Sequence, residues 1–470
     1  NGSGCAPPCH HRSQFDRNDV RGAPQPHGEN YWIQRTRPRC FSHLQDCSAR
    51  ADGRDNTGRT CNPAGFSEWL CGYARNHTAG QCKLLRRAYE KIRHPRFKMR
   101  QFSRVDGFLK CEFVKPGKSC HIIGSRNLYH RSFFGPYISS LEHLLRRLPE
   151  AQCISTDGPG TARALLELRD MSRFIETDHT AWDLHMSQPL LAALNDEYRR
   201  IFRVPAEDAV YFEEVLRSYL STSWRFRNGL SYKLKGTRVS GDVDTTVGNT
   251  IIHIAVNRAV ARMSGLSKAD FKQRCKGDDS VIAEHGNPGK RFEVSHFRRL
   301  GLEVKASERS TIFDVEFCSS YLLQGETGWT MSRNPWKIVR HVPYVLGITN
   351  RKEFIRKSQQ KSLCEALVSQ GTPVMCALSH YWWRCAGHPS VPFTDRDVQY
   401  HYQSYCGGEK HVSTHARWSF ERLWGITVAD QLHCERYLYS LRVGDVPDHW
   451  VLHRLGHILD RPGTPLDEYE

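Results

Sequence analysis

Apolar and polar positions form a legible pattern in four stretches of the chain. Phe174-Ile175 is a short apolar run that predicts a strand, with Asp178 at its end. Ser280-Val281-Ile282-Ala283 follows Gly277-Asp278-Asp279 as a β-branched run, which puts the triplet at the tip of a hairpin with Cys275 just before it. Between these two, Ile251, Ile254, Ala255 and Ala259 recur at helical spacing and predict a helix with one buried face. Asn249 falls in the first turns of that helix, and Ser240-Gly241 forms a flexible loop before it. Farther on, Phe354 to Leu367 mixes apolar and basic residues at helical spacing. No run of eighteen apolar residues occurs, so the chain is expected to carry no transmembrane helix of its own. Residues 1–30, rich in Gly, Pro, Arg and His, read as a disordered arm.

Charge adds a direction to this pattern. Lysine and arginine total 67 against 50 acids, a net +17 over 470 residues. Residues 1–150 hold 26 basic and 12 acidic residues, so most of the excess sits in the first third. Arg86, Arg87, Lys91, Arg93, Arg96, Lys98 and Arg100 are dense there, with Tyr89, Phe97 and Phe102 interleaved. Basic groups that follow phosphates, with rings available for stacking, fit single-stranded RNA bound without sequence preference. The seventeen cysteines are irregularly spaced and are expected to be reduced. Two weak zinc groupings, Cys5-Cys9-His10-His11 and Cys61-Cys71-His77-Cys82, lack paired spacing.

The polar positions carry the chemistry. Asp178 at a strand end and Asp278 at a hairpin tip are two carboxylate stations able to hold a pair of Mg²⁺ ions about 3.5–4 Å apart. Asp279 is a third ligand or a tuner of charge. Hard Mg²⁺ takes oxygen ligands and keeps several waters, and Mn²⁺ is an expected substitute. Asp183 and Asn249 are suited to hydrogen-bonding a ribose 2′-hydroxyl from two sides. A site built around that hydroxyl rejects the deoxy analogue, which leaves its polar groups unpaired. The competing readings are an ordinary Gly-Asp turn for the triplet and a helix-start residue for Asn249.

In this order, Asp178-His-Thr-Ala-Trp-Asp183, Ser240-Gly-Asp-Val-Asp-Thr245-Thr-Val-Gly-Asn249 and Gly277-Asp278-Asp279 resemble motifs A, B and C of viral RNA-dependent RNA polymerases. The wording is most similar to the tombusvirus-like and nodavirus-like replicases of positive-strand RNA viruses. Phe297 to Lys305 resembles motif D, and the resemblance implies that Lys305 protonates pyrophosphate, with Lys290, Arg298 and Arg299 as alternatives. Val315 to Ser319 resembles motif E, which makes Phe317, Cys318 and Ser319 a support for the primer strand. Trp329 to Lys337 resembles the segment that follows it. Glu112 to Lys118 with Ile122 to Arg126 resembles motif F, so Lys115, Lys118 and Arg126 are expected over the triphosphate. His121 stands where that motif usually has arginine. Ser240, Gly241 and Thr245 are implied as substrate contacts beside Asp183 and Asn249.

The resemblance implies an α+β right-hand fold with an antiparallel palm sheet backed by helices. Fingers would be 1–170 and 189–238, palm 171–188 and 239–332, and thumb 333–470. It also implies a single-stranded RNA template, nascent RNA and nucleoside triphosphates as partners, with no organic cofactor. It places the chain in the host cytoplasm on membrane-associated replication complexes, held by a viral or host tethering factor, with homo-oligomerisation open. An initial Asn in place of Met suggests a longer native product. Trp382, Trp383 and Tyr405 read as core aromatics ahead of a stacking platform for a first nucleotide. A reverse transcriptase and a catalytically silent RNA-binding subunit are the alternative functions.

Overall fold

A computed structural model describes residues 61–74, 77–112, 120–286, 289–348, 350–390, 393 and 395–457. Lys115, Lys118, the N-terminal arm and the Cys5-Cys9-His10-His11 grouping lie outside the described residues. The strands are β1 Arg104–Leu109, β2 Ile122–Arg126, β3 Arg173–His179, β4 Ser221–Phe226, β5 Ser231–Lys235, β6 Phe271–Lys276, β7 Asp279–Glu284, β8 Val304–Arg309, β9 Ser320–Gln324 and β10 Trp329–Arg333.

The central sheet has the order β6-β7-β3-β8, antiparallel throughout. Together with the helices Thr245–Met263 and His296–Arg299 it forms a β-α-β-β-α-β unit. Side chains alternate across β3: Ile175 joins the core on one face and Phe174 the core on the other. The second face packs under β9, β10 and the helix Gly158–Leu166 through Met331, Leu322 and Leu165.

The helix Thr245–Met263 is buried on nearly every side, beyond the single buried face its apolar spacing predicts. The sheet packs on one side of it, and the helices Leu128–Leu145 and Gln188–Ile201 pack on another. Its polar members Asn249, Thr250, His253 and Asn257 are therefore buried with the aliphatics.

A second, mixed sheet has the order β2-β1-β4-β5. Its parallel β1–β4 pairing joins a segment before the central sheet to one that follows β3. Residues 333–457 are helical, from Pro335–His341 to Trp450–His457, and build a core of their own around Phe420, Leu423, Trp424 and Leu455. Several of these helices begin at a side-chain cap, as Asn334, Asn350, Ser413 and Thr427 do. The Phe354–Leu367 pattern falls inside the helix Arg351–Val368. No helix among the described residues is long and apolar enough to cross a membrane.

Arg333 at the end of β10 meets Glu365 of the helix Arg351–Val368 at 2.6 Å, which fastens the helical part to the sheets. Burial alone would raise the Glu365 carboxyl, but Arg333, His401 and Ser369 outweigh it and hold it down to about 2. A depressed carboxyl contributes stability above its ordinary value near 4.5 and loses it as pH falls toward 2. Glu365→Gln strands a buried guanidinium and is expected to cost roughly 3–5 kcal/mol. Thermal melts across pH 7 to 2 should show a lowered midpoint at neutral pH and a flatter acid slope in the variant.

Candidate active site

The register between β3 and β7 runs from Arg173↔Glu284 to Thr177↔Ser280, so Asp178 and Asp279 are the next residues along, side by side at the sheet's edge. Cross-strand pairing also puts Lys305 of β8 opposite Asp178. β6 and β7 close at Lys276↔Asp279, leaving Gly277-Asp278 as a two-residue turn. Gly277 has φ +67°, a conformation glycine supplies without steric penalty.

The buried helix pins this tip. Thr250 Oγ1 accepts from Gly277 N at 2.8 Å, and His253 Nδ1 donates to Gly277 O at 3.2 Å. His253 Nε2 lies 3.2 Å from His179 Nε2. A carbonyl only accepts, so His253 carries its proton on Nδ1 and His179 donates from Nε2. Both rings are neutral: burial pushes His253 down to about 4 and His179 down to about 2, with each neighbouring histidine adding to the latter.

Asp278 and Asp279 open on a cavity of about 260 Å³, lined also by Asn249, Cys318, Tyr400 and Tyr405. Water reaches Asp279 through the opening, yet the protein crowds it. Desolvation first, then the neighbouring charges of Asp278 and Asp178, push its carboxyl up to about 6. Crowded carboxylates of this kind suit a divalent cation, which relieves the repulsion. No group of three His, Cys, Asp or Glu side chains able to hold a metal ion converges among the described residues, so the Cys61-Cys71-His77-Cys82 grouping is not gathered. The aspartates are oxygen donors, the ligand type that hard Mg²⁺ takes alongside waters and phosphates.

Asp183, on the short turn Trp182–His185, accepts from Asn249 Nδ2 at 3.2 Å. Thus the two residues expected to read a ribose are joined. Burial raises the Asp183 carboxyl, against the opposing pull of Arg238 and Asn249. Thr245 turns its hydroxyl back to the loop, 2.9 Å from Asp242 O.

Arg126 is not brought to the carboxylates. Its Nε donates to Asp242 at 2.6 Å, with both side chains only 1% exposed. Arg238 and Asp244 form a second buried pair at 2.9 Å, and Tyr198 donates to Asp244 at 2.6 Å. The Tyr219 ring lies 5.3 Å from one guanidinium and 5.6 Å from the other. These groups lock β2 to the loop before the Asn249 helix. Sequence reasoning missed Arg238, Asp242 and Asp244 as a lock; the signal was their alternation with Val239 and Val243, which buries neighbours on both sides.

Gly241 N donates to Gly124 O at 2.9 Å, and a Cβ on Gly241 would lie 2.4 Å from that oxygen. Ser240 Oγ reaches Gly124 N at 3.4 Å.

Phe317, buried, and Ser320 exchange backbone hydrogen bonds of 2.9 and 3.1 Å around Cys318 (φ +51°) and Ser319 (φ +61°). Two left-handed non-glycine residues in succession cost about 1–2 kcal/mol each. Tyr405 holds the turn by donating to Cys318 O at 2.8 Å, and Lys337 holds Ser319 Oγ.

A groove of about 1280 Å³ lies between the second sheet and the basic segment, lined by Arg87, Lys91, Lys98, Arg100, Arg104 and Arg131 among others. The interleaved rings are engaged in packing, although Phe97 and Tyr89 are only half-buried. Phe102 is fully buried, Phe97 packs on it at 5.3 Å, and Tyr89 stacks on Phe66 at 3.9 Å. Arg93 is drawn to Asp208.

An antiparallel β-α-β-β-α-β unit with carboxylates at its hairpin edge, flanked by a second sheet and a helical part, is the architecture of right-hand polymerases. The fold is similar to that of the Sicinivirus 3Dpol RNA-dependent RNA polymerase, with TM-score 0.55 and 14% identity over 81% of this chain and 85% of that one. The chain belongs to the viral RNA-dependent RNA polymerase family, whose model matches residues 170–444. It is 25% identical over 405 residues to the RNA-directed RNA polymerase of Cymbidium ringspot virus, covering 77% of this chain and 46% of the relative. The Turnip crinkle virus enzyme is 25% identical over 403 residues, covering 76% and 50%. The chain thus spans about half the length of the curated relatives it matches.

Gly241→Ala is expected to pry β2 from the loop and displace Asn249. Such a shift lowers turnover about 100-fold, with far-UV circular dichroism unchanged. Nucleotide incorporation assays and circular dichroism on the same preparation check both halves.

Proposed function

We propose that this chain is an RNA-directed RNA polymerase that copies the single-stranded RNA genome of a positive-strand RNA virus. The observation that carries the reading is the Asp183–Asn249 hydrogen bond beside the sheet edge that carries Asp178, Asp278 and Asp279. The reaction joins a nucleoside triphosphate to a 3′-hydroxyl opposite a template base and releases pyrophosphate.

Asp178, Asp278 and Asp279 would hold Mg²⁺, or Mn²⁺ in its place. The metal would lower the pKa of the attacking hydroxyl and neutralise charge on the triphosphate. Asn249 and Asp183 meet the ribose 2′-hydroxyl, one able to donate and the other to accept. Lys305, next to Asp178 in the sheet, is positioned to give a proton to departing pyrophosphate. Cys318 and Ser319 support the growing strand's end. The basic groove takes the RNA backbone. We further assign the enzyme to host cytoplasmic membranes through a viral or host tethering factor, a reading supported by kinship alone.

Removing either ribose reader should relax sugar selection. Asn249→Ala or Asp183→Ala is expected to lower the ratio of ribo- to deoxynucleotide incorporation by about 10- to 100-fold, as loss of one buried polar contact allows. Preference for deoxynucleotides in the wild-type chain would favour a reverse transcriptase, and RNA binding without synthesis in either metal would favour a silent subunit.

The groove has its own test. For a single strand, log K falls with log salt at a slope of about 0.7 per phosphate neutralised. Lys98→Ala with Arg100→Ala should reduce that slope by about 1.4 in RNA-binding titrations. An unchanged slope would remove the groove from the RNA path.

A further inference from the structure

One residue connects the two ribose readers without being either of them. The Arg238 backbone N–H donates to Asp183 O at 2.7 Å, and Thr237 N donates to Met186 O at 2.7 Å beside it. These bonds hold the main chain of the turn Trp182–His185. In the other direction the Arg238 side chain reaches Asp244, the residue from which the helix Thr245–Met263 starts. Its Nη2 donates to Asp244 O at 2.8 Å and to Asp244 Oδ2 at 2.9 Å. Main chain to Asp183 and side chain to the Asn249 helix, a single residue spans the gap that the 3.2 Å Asp183–Asn249 bond closes.

Gly248, the neighbour of Asn249, is where the guanidinium crosses the helix. A Cβ there would overlap Arg238 Nη2 and lie 2.9 Å from both Asp244 Oδ2 and Tyr198 Oη. Glycine weakens a helix interior relative to alanine, and here that loss is offset by room for the arginine. The Arg238 side chain is fully buried, yet its Nε and Nη1 have no hydrogen-bond partner among the described residues. Asp244 therefore consumes only part of the charge. Burial raises the Asp183 carboxyl, and Arg238 is the strongest of the groups that oppose the rise.

We propose that Arg238 is a positioning residue for ribose selection, and that Gly248 is kept free of a side chain to admit its guanidinium. This rests on the polymerase reading. Arg238 acts through Asp183 and Asn249 and touches no nucleotide itself. A residue that only fastened the fold would affect ribo- and deoxynucleotides alike. One that sets the spacing of the two readers affects the sugar they read.

The test measures kcat/KM for a ribonucleoside triphosphate and its 2′-deoxy analogue, using the full chain on a single-stranded RNA template. Gly248→Ala should lower the ribo-to-deoxy ratio by about 3- to 10-fold, through loss on the ribonucleotide alone. Arg238→Gln combined with Asp244→Asn removes both charges instead of stranding one, and should move the ratio the same way. Placed in an Asn249→Ala background, Gly248→Ala should leave the ratio where Asn249→Ala alone puts it, since the reader it positions is gone. Equal losses on both triphosphates, an unaltered ratio, or a shift that adds fully to that of Asn249→Ala overturns the assignment. Wild-type synthesis without any sugar preference also overturns it and leaves the polymerase reading standing. No wild-type synthesis with either Mg²⁺ or Mn²⁺ overturns both.

Discussion

Asp178 and Asp279 stand side by side because β3 and β7 pair in one register, carried up the sheet by Phe174 against Ala283, Ile175 against Ile282 and Thr177 against Ser280. A slip of one residue would turn the carboxylate face of β3 toward the Asn249 helix and bury the charges. Hydrophobic cores on both faces make that slip costly, since Ile175 and Phe174 belong to different cores. Two or three like charges can then be held at one edge, where each raises the energy of the others. Burial first raises the carboxyl of Asp279, and this repulsion adds to the rise. It is also what makes the edge receptive to a cation.

Around this edge the chain uses buried polar contacts as fasteners. The neutral His179–His253 pair ties β3 to the helix and to the Gly277 carbonyl without placing a buried charge beside the aspartates. The Arg126–Asp242 and Arg238–Asp244 pairs do carry charge, and neighbours such as Tyr198 and the Ser218 carbonyl bond to them as well. Buried pairs are weak evidence for stability, but they fix geometry strongly, because either partner alone is severely penalised. Here they determine where the loop before Asn249 can lie relative to β2. The left-handed Cys318-Ser319 turn is a third fastener, strained in its backbone and held by Tyr405 and Lys337.

The placement of the carboxylate edge was legible in the sequence because apolar runs beside Asp178 and Asp279 announce a strand end and a hairpin tip. Asp183 and Asn249 were singled out by residue type as approaching a ribose from two sides, but that they hydrogen-bond each other was not legible. Arg126 misled because a basic residue near a phosphate-binding motif reads as a ligand contact. Only packing against Tyr219 and Asp242, more than ninety residues away in the chain, turns it inward. The packing of Phe97, Phe102 and Tyr89 was hidden likewise: aromatic spacing does not reveal which rings find a partner. The mixed sheet could not be read either, because its β1–β4 pairing spans more than a hundred residues. The Cys318-Ser319 turn was reached only through the family resemblance, since propensity there favours glycine or asparagine.

Nucleotide incorporation on a single-stranded RNA template tests the central claim most directly, using the purified chain with Mg²⁺ or Mn²⁺ beside Asp178→Ala and Asp278→Ala. The account predicts template-length product from the wild-type chain and none from either variant, with RNA binding retained in all three. Synthesis that survives the loss of either carboxylate would contradict it.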